Sequence, residues 1–317
     1  MKILSRPKGN AEEYGKWAVN PWKGCSNSCH YCYLKSGVWK NGLGGNVPQL
    51  KEGIVSQEHA YHVAMAEILE NREQIKRDGG LFMTFTSDPC IRETRELMFR
   101  IAGSCIGDGV TPEERIIPVT MLTKDATFCG WEIKEIRSVR EALQLRAWLN
   151  HIATFRASKI ATRLAIGWTL TGHDELEPNA SPNAHRIEAM RYLAKGGYNV
   201  WASIEPVIDF ASSKEMICQA LAAGCTHFKV GLLTKNTRVV RRHYRLDDCL
   251  DFISEVMTLT EGKATVYWKE SVRDFIRCWK GEKHPLSQTQ IHAIFDIWPH
   301  SVGKDFDIFK PQTTNQI

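Results

Sequence analysis

The chain has 317 residues, 43% hydrophobic, 24% charged and 9% aromatic, with a formal net charge of +5. That apolar share offsets chain entropy and excludes disorder as the main state. No run of about 18 apolar residues exists, which excludes a hydrophobic spanning helix. Residues 1–17 carry acids and lack an apolar stretch, so no secretory signal is expected and the expected location is cytoplasmic, with no membrane partner.

The predicted elements alternate in kind. A first strand is expected near Lys16–Trp22 and its helix over Gln57–Arg77, with a long Gly-rich loop, Gly37–Gly53, between them. Leu81–Ser87 reads as a strand and Thr94–Cys105 as a helix. Arg115–Thr123 is the next strand, with a helix around Glu132–His151. Arg163–Thr171 follows, then a helix with Ser181 as N-cap, Pro182 at its first position and Gly196-Gly197 at its end. Asn199–Ile208 precedes a helix over Ser213–Ala223 that Gly224 closes. Thr226–Leu233 and Ala264–Lys269 are the last strands. Strands alternating with helices of this length imply an α/β fold with a parallel sheet, and six or seven units suit a partial or complete barrel. Sites in such folds lie at the C-terminal strand ends. One catalytic core over residues 1–235 is expected, with a C-terminal extension, 236–317, packed on it.

Charge is uneven. Thr226–Leu246 contains no acid and carries Lys229, Lys235, Arg238, Arg241, Arg242 and Arg245. Ala142–His173 is also acid-free and carries Arg146, Arg156, Lys159 and Arg163. Such stretches attract polyanions, unless acids face them in space. Arg238, Arg241, Arg242 and Lys269, the last beside Tyr267 and Trp268, are the candidate nucleic-acid contacts, with aromatic rings available to stack on bases. His173, Asp174 and Glu175 end a strand and are candidates for acid–base work or for a polar loop.

Ten cysteines are many for a reducing compartment, and three fall within eight residues: Cys25, Cys29 and Cys32. The spacing C-x3-C-x2-C puts three soft ligands on one tight loop, enough for three corners of a cubane cluster with the fourth iron open. Zinc is the alternative, with His30 as a further ligand, but no second cysteine knuckle exists. Three structural thiols are the plainest alternative. The remaining seven cysteines read as small apolar residues.

The segment Asn20–Leu34, NPWKGCSNSCHYCYL, resembles the signature of the radical S-adenosylmethionine (SAM) superfamily. FTSDP (Phe85–Pro89), LTKD (Leu122–Asp125) and the segment from Leu176 to Asp209 are similar, in the same order, to the branch containing spore photoproduct lyase and DNA-repair photolyase-like proteins. SIEPVID (Ser203–Asp209) and VYWKES (Val266–Ser271) are also similar to phage-encoded radical-SAM-like proteins. The resemblance implies a partial (β/α)6 TIM-like barrel, a [4Fe-4S] cluster on Cys25, Cys29 and Cys32, and SAM chelated to the open iron. It implies Tyr31 beside the adenine, Ser87 and Asp88 at the SAM amino group, and Lys124 near its carboxylate. Thr169 or Thr171 would meet the ribose, and Val207 and Ile208 would pack on the adenine. It further implies an electron donor such as flavodoxin or ferredoxin, and a nucleic-acid base as substrate. A peptide or small metabolite, or a non-catalytic metal protein, are the alternatives. In spore photoproduct lyase a hydrogen-returning cysteine directly precedes the T-S-D element; here Phe85 stands there, and Cys90 is the nearby candidate.

Overall fold

The structure, a computed structural model, describes residues 2–35, 42–107, 116–129, 163–233, 244–278 and 286–309. The expected first strand is two short ones, because Pro21 interrupts it: β2 (Ala18–Val19) and β3 (Trp22–Lys23), preceded by β1 (Leu4–Ser5). β4 (Gln49–Leu50) pairs antiparallel with β3. The first expected helix is broken at Asn71 into α1 (Gln57–Glu70) and α2 (Arg72–Arg77). Ser56 caps α1 by accepting from His59 N at 3.0 Å.

β5 (Leu81–Met83) stops four residues short of the expected end, because Thr84 takes φ +60° and turns the chain. Asn20 Oδ1 holds that turn by accepting from Phe85 N at 2.7 Å. α3 (Arg95–Ile106) and β6 (Val119–Thr123) follow. The helix expected around Glu132–His151 lies outside the described residues. β7 (Leu164–Thr169), α4 (Asn183–Lys195), β8 (Asn199–Val207), α5 (Phe210–Ala222) and β9 (His227–Leu232) agree with the reading to within a few residues. α6 (Leu246–Thr260), β10 (Thr265–Trp268), α7 (Glu270–Arg277) and α8 (Gln288–Ala293) complete the order. Ser181 is not the cap of α4: Pro182 takes that position, and Ser181 Oγ accepts from Ala126 N at 2.9 Å instead.

Eight strands form one sheet in the order β1-β2-β5-β6-β7-β8-β9-β10. Only β1–β2 is antiparallel; every pairing from β2 to β10 is parallel. The architecture is therefore α/β with a mostly parallel sheet. β1 and β10 are its edges among the described residues, with no closed barrel.

Alternation sorts the strands into two faces. Met83, Met121, Ile166, Trp168, Val200, Phe228, Val230 and Trp268 pack against the helices in the main core. Each such aliphatic side chain contributes about 1.5–3 kcal/mol by leaving water. The opposite face carries a small cluster of Ala18, Phe82, Ala165 and Trp201, joined by Tyr14, Phe85, Leu122, Ile308 and Phe309. It also carries Ser203, Glu205, Lys229 and Tyr267, and is called the polar face below. No described helix is long and apolar enough to cross a membrane.

Candidate active site

The cysteine loop leaves β3, which pairs with β4 in a small sheet of its own. Gly24 has φ +82°, and a Cβ there would stand 2.7 Å from Val47 O and 2.9 Å from Gly45 O, so no side chain fits. Cys25 N donates to Gly45 O at 2.9 Å, and Ser28 takes φ +55° to tighten the turn. His30 N donates to Leu176 O at 2.9 Å and Asn179 Nδ2 to Ser26 O at 3.0 Å, docking the loop on the segment after β7. Cys29 is buried; Cys25 and Cys32 are half-buried.

The donor set suits an iron–sulfur cubane. Among the described residues, no three cysteine, histidine or acidic side chains converge on one ion. A cubane does not ask for that, since each cysteine holds a different iron and the sulfurs stay apart. Burial, and then the charge of Asp88, push the Cys25 thiol up; burial does the same to Cys29 despite the nearby Lys124. Deprotonation therefore has to come with bound metal cations.

Two buried networks tie the loop to the strand ends. In the first, Asp88 accepts four hydrogen bonds. Its Oδ1 takes Cys90 N at 2.9 Å and Thr123 Oγ1 at 2.6 Å; its Oδ2 takes Asn27 Nδ2 and Lys124 N, both at 2.8 Å. Asp88 thus joins the cysteine loop, the turn after β5 and the end of β6. In the second, Tyr31 Oη donates to Glu177 Oε1, and Glu177 Oε2 meets Arg186 Nη2 at 2.6 Å with both side chains fully buried. Arg186 also donates to Thr169 O at 2.8 Å and Ser181 O at 2.7 Å. This network gives the sequence pattern around Leu176–Met190 a physical meaning: Glu177 and Arg186 fasten Tyr31 to the end of β7.

Ser87 Oγ is buried and has no hydrogen-bond partner among the described residues. Lys124 Nζ lies 5.6 Å from the Tyr31 ring. Burial opposes its charge, but Cys29 and Glu177 outweigh that and raise its pKa. Thr169, Thr171, Val207 and Ile208 are all buried at the ends of β7 and β8. Val207 O accepts from Tyr244 Oη at 2.6 Å.

Three expectations change. Asp88, expected at an ammonium, has both oxygens committed to the loop junction. Cys90, expected to face the site, is fully buried in the helix-side core, where burial and Asp88 push its thiol well up. Lys269, expected as a nucleic-acid contact, is 2% exposed and pairs with Glu205 Oε2 at 2.5 Å and Glu13 Oε2 at 3.2 Å. Arg238, Arg241 and Arg242 lie outside the described residues. Glu13 and Tyr14 carried no sequence signal, and Ser203 and Glu205 stood in the SIEPVID motif without an assigned role, yet Tyr14 Oη bonds Ser203 Oγ at 2.8 Å and Glu205 Oε2. His173 is held between Asp209 Oδ2 at 2.6 Å and Glu175 Oε1 at 2.7 Å.

The fold is shared with solved structures of two enzymes. Spore photoproduct lyase complexed with dinucleoside spore photoproduct is similar at 15% identity and TM-score 0.53, over 84% of this chain and 79% of that one. A mutant of that lyase with bound AdoMet and the same dinucleoside is similar at 14% identity and TM-score 0.53, over 83% of this chain and 78% of that one. Streptococcus suis SuiB bound to S-adenosylmethionine is similar at 13% identity and TM-score 0.51, over 86% of this chain and 53% of that one, so the chain spans about half of SuiB. No family model matches the chain. No curated protein matches it.

Proposed function

We propose that the chain is a radical SAM enzyme acting on a nucleic-acid base. One observation carries the chemistry: three cysteines on a strained loop, tied by Asp88 and Glu177 to the C-terminal ends of parallel strands, together with a buried hydroxyl, Ser87 Oγ, that has no partner among the described residues. Cys25, Cys29 and Cys32 would hold a [4Fe-4S] cluster. When bound, cluster and SAM supply a carbon-centred radical that takes a hydrogen atom from the substrate.

The chain's own residues orient the reactants. Ser87 Oγ would accept from the SAM ammonium, satisfying an atom that lacks a partner among the described residues. Lys124, its pKa raised by Cys29 and Glu177 against burial, would hold the SAM carboxylate. Tyr31, Val207 and Ile208 supply apolar surface for the adenine, and Thr169 or Thr171 a polar contact to the ribose. Asp88 acts by holding the loop rather than by touching SAM. The role of returning a hydrogen atom is left unassigned to Cys90, because its thiol is in the core.

Residues 1–235 form the core of a partial (β/α)6 barrel in this reading, and the extension 236–317 adds β10 and its helices. The base substrate is supported by the fold shared with a lyase solved on a dinucleoside lesion, and by the basic stretches. A reductant of the flavodoxin or ferredoxin kind and a cytoplasmic location complete the proposal.

The test is anaerobic reconstitution with iron and sulfide, followed by reduction with SAM present. Wild type is expected to bind iron and to release 5′-deoxyadenosine; Cys32→Ala is expected to lose both. A Cys32→Ala protein that still cleaves SAM overturns the assignment. Affinity for single-stranded DNA should fall steeply with salt if phosphates contribute.

A further inference from the structure

The polar face of the sheet carries a charged cluster that cluster ligation and SAM binding leave unused. Its centre is Glu205, near the end of β8. The β8–β9 register runs through Ile204↔Val230 and resumes at Val207↔Leu232, so β8 has one extra residue there. A bulge of this kind re-aims the side chain it carries. Gly231 on β9 makes the room: a Cβ there would stand 3.0 Å from both Glu205 Oε1 and Lys269 Cδ.

The two oxygens of Glu205 differ. Oε2 accepts from Tyr14 Oη and from Lys269 Nζ at 2.5 Å. Oε1 accepts no hydrogen bond among the described residues and is not a buried atom, and the side chain is 22% exposed. One oxygen is therefore clamped and the other is presented. The neighbouring carboxylate, Glu13, is closed by contrast: it takes Tyr267 Oη at 3.0 Å, Glu270 N at 2.7 Å and Lys269 Nζ at 3.2 Å. Lys229 does not turn the cluster into a cation patch, because burial and then Lys269 pull its pKa down to about 7.

A chain of contacts links Glu205 to the cysteine loop: Tyr14 bonds its Oε2, Phe85 stands beside Tyr14, and Tyr33 bonds the backbone of Phe85. Tyr33 directly follows Cys32, is 54% exposed and donates to Phe85 O. It lies close enough to feel the charges of Glu205 and Lys269 as well as those of Cys32 and Cys25. Phe85 stacks on Phe82 at 4.3 Å and stands 6.2 Å from Tyr14. Flat apolar surface thus lies between the loop and the carboxylate.

We propose that Glu205 is the specificity-determining residue of the substrate site: its open Oε1 accepts a hydrogen bond from an N–H on a flat, uncharged ring, as on a nucleobase edge, lying against Phe85 and Tyr33. The inference rests on the radical-site reading above. A carboxylate accepts only, so it selects a donor edge and repels a phosphate or carboxylate. Tyr14 and Lys269 are positioning residues, fixing Oε2 so that Oε1 keeps its direction. A site built for an N–H discriminates against analogues lacking it.

The experiment uses reconstituted full-length protein with SAM and five probes: short single-stranded homopolymers of the four DNA bases, and oligothymidylate methylated at the ring N3. Affinity is read by fluorescence anisotropy. Wild type is expected to rank the probes, and methylation to weaken oligothymidylate. Glu205→Gln should weaken the preferred probe about tenfold or more and flatten the ranking, as for loss of a charge-assisted bond. Tyr14→Phe, which keeps the ring, should flatten it several-fold; circular dichroism checks that both variants are folded. If wild type ranks the probes and both variants keep that ranking, the inference is overturned while the radical reading stands. If wild type cleaves SAM but binds no probe, the inference falls together with the nucleic-acid substrate. If the ranking depends on Glu205 but no 5′-deoxyadenosine appears, the inference stands and the radical reading falls.

Discussion

Two buried ion pairs stand at the C-terminal side of the same sheet, and they are built differently. At Glu177 each carboxylate oxygen has a partner: Tyr31 and Arg186 take one each, and the guanidinium also holds two backbone carbonyls. Glu205 and Lys269 leave one carboxylate oxygen open on a partly exposed side chain. A closed network of this sort fixes geometry, and removing any part leaves an uncompensated buried charge. An open one has capacity left for a ligand. Charge is similar in the two, but Glu205 is the more exposed, and the placing of two partners differs: one on each oxygen of Glu177, both on Oε2 of Glu205.

The comparison breaks first at Arg186. Arg186→Met should cost about 3–5 kcal/mol, the penalty of orphaning a buried carboxylate. Chemical denaturation reads it, and a loss under 1 kcal/mol would mean that Glu177 is not held by this pair alone. Tyr31→Phe removes one donor from the same carboxylate and should cost about 1–3 kcal/mol. It should also loosen iron binding in reconstituted protein, since Tyr31 sits between Cys29 and Cys32. Ser87→Ala sharpens the contrast from the other side. With no partner among the described residues to lose, stability should change by no more than about 0.5 kcal/mol, while SAM affinity measured by calorimetry falls. Unchanged SAM affinity would remove Ser87 from the site.

The smallest expected effect is a pH dependence at His173. Burial opposes its charge, but Glu175 and Asp209 outweigh that and raise its pKa, while the Ser212 amide and His173 outweigh burial at Asp209 and lower the pKa there. The histidine contribution is fully present below its unfolded value, about 6.5, and is lost as pH rises through the higher folded value. The Asp209 contribution is present above the unfolded aspartate value and is lost as pH falls through the lower folded one. Wild type should therefore lose thermal stability relative to His173→Gln on going from neutral to mildly alkaline buffer. Parallel melting curves for the two proteins across that range would show that the contacts contribute nothing.

The cysteine loop was legible in the sequence because its thiols are local: eight residues hold all three. The strand–helix alternation was legible for the same reason, since hydrophobic period and glycine stops are read within one window. β5 came out short because the left-handed Thr84 carries no residue-type signal. Lys269 was misread because its partners, Glu13 and Glu205, lie far away in the chain, and a lysine near a basic stretch looks solvated until its neighbours in space are known. Asp88 showed the reverse difficulty: its position was legible, but four hydrogen bonds from three different segments decided its role. Glu177 and Arg186 stood within a quoted pattern whose meaning appeared only when Tyr31 was seen to complete it.

The reach of Glu13 sets a timetable. Its carboxylate meets Tyr267, Lys269 and the amide of Glu270, contacts separated by more than 250 residues along the chain. During synthesis the first of these residues leaves the ribosome long before the others exist, so the polar face can be assembled only after β10 has been made. Contacts of such long separation are closed late because loop entropy must be overcome first. The cysteine loop, made early and locally, would then wait for the polar face, and a nascent chain halted before Tyr267 would own its three thiols without the partners that fix Glu13.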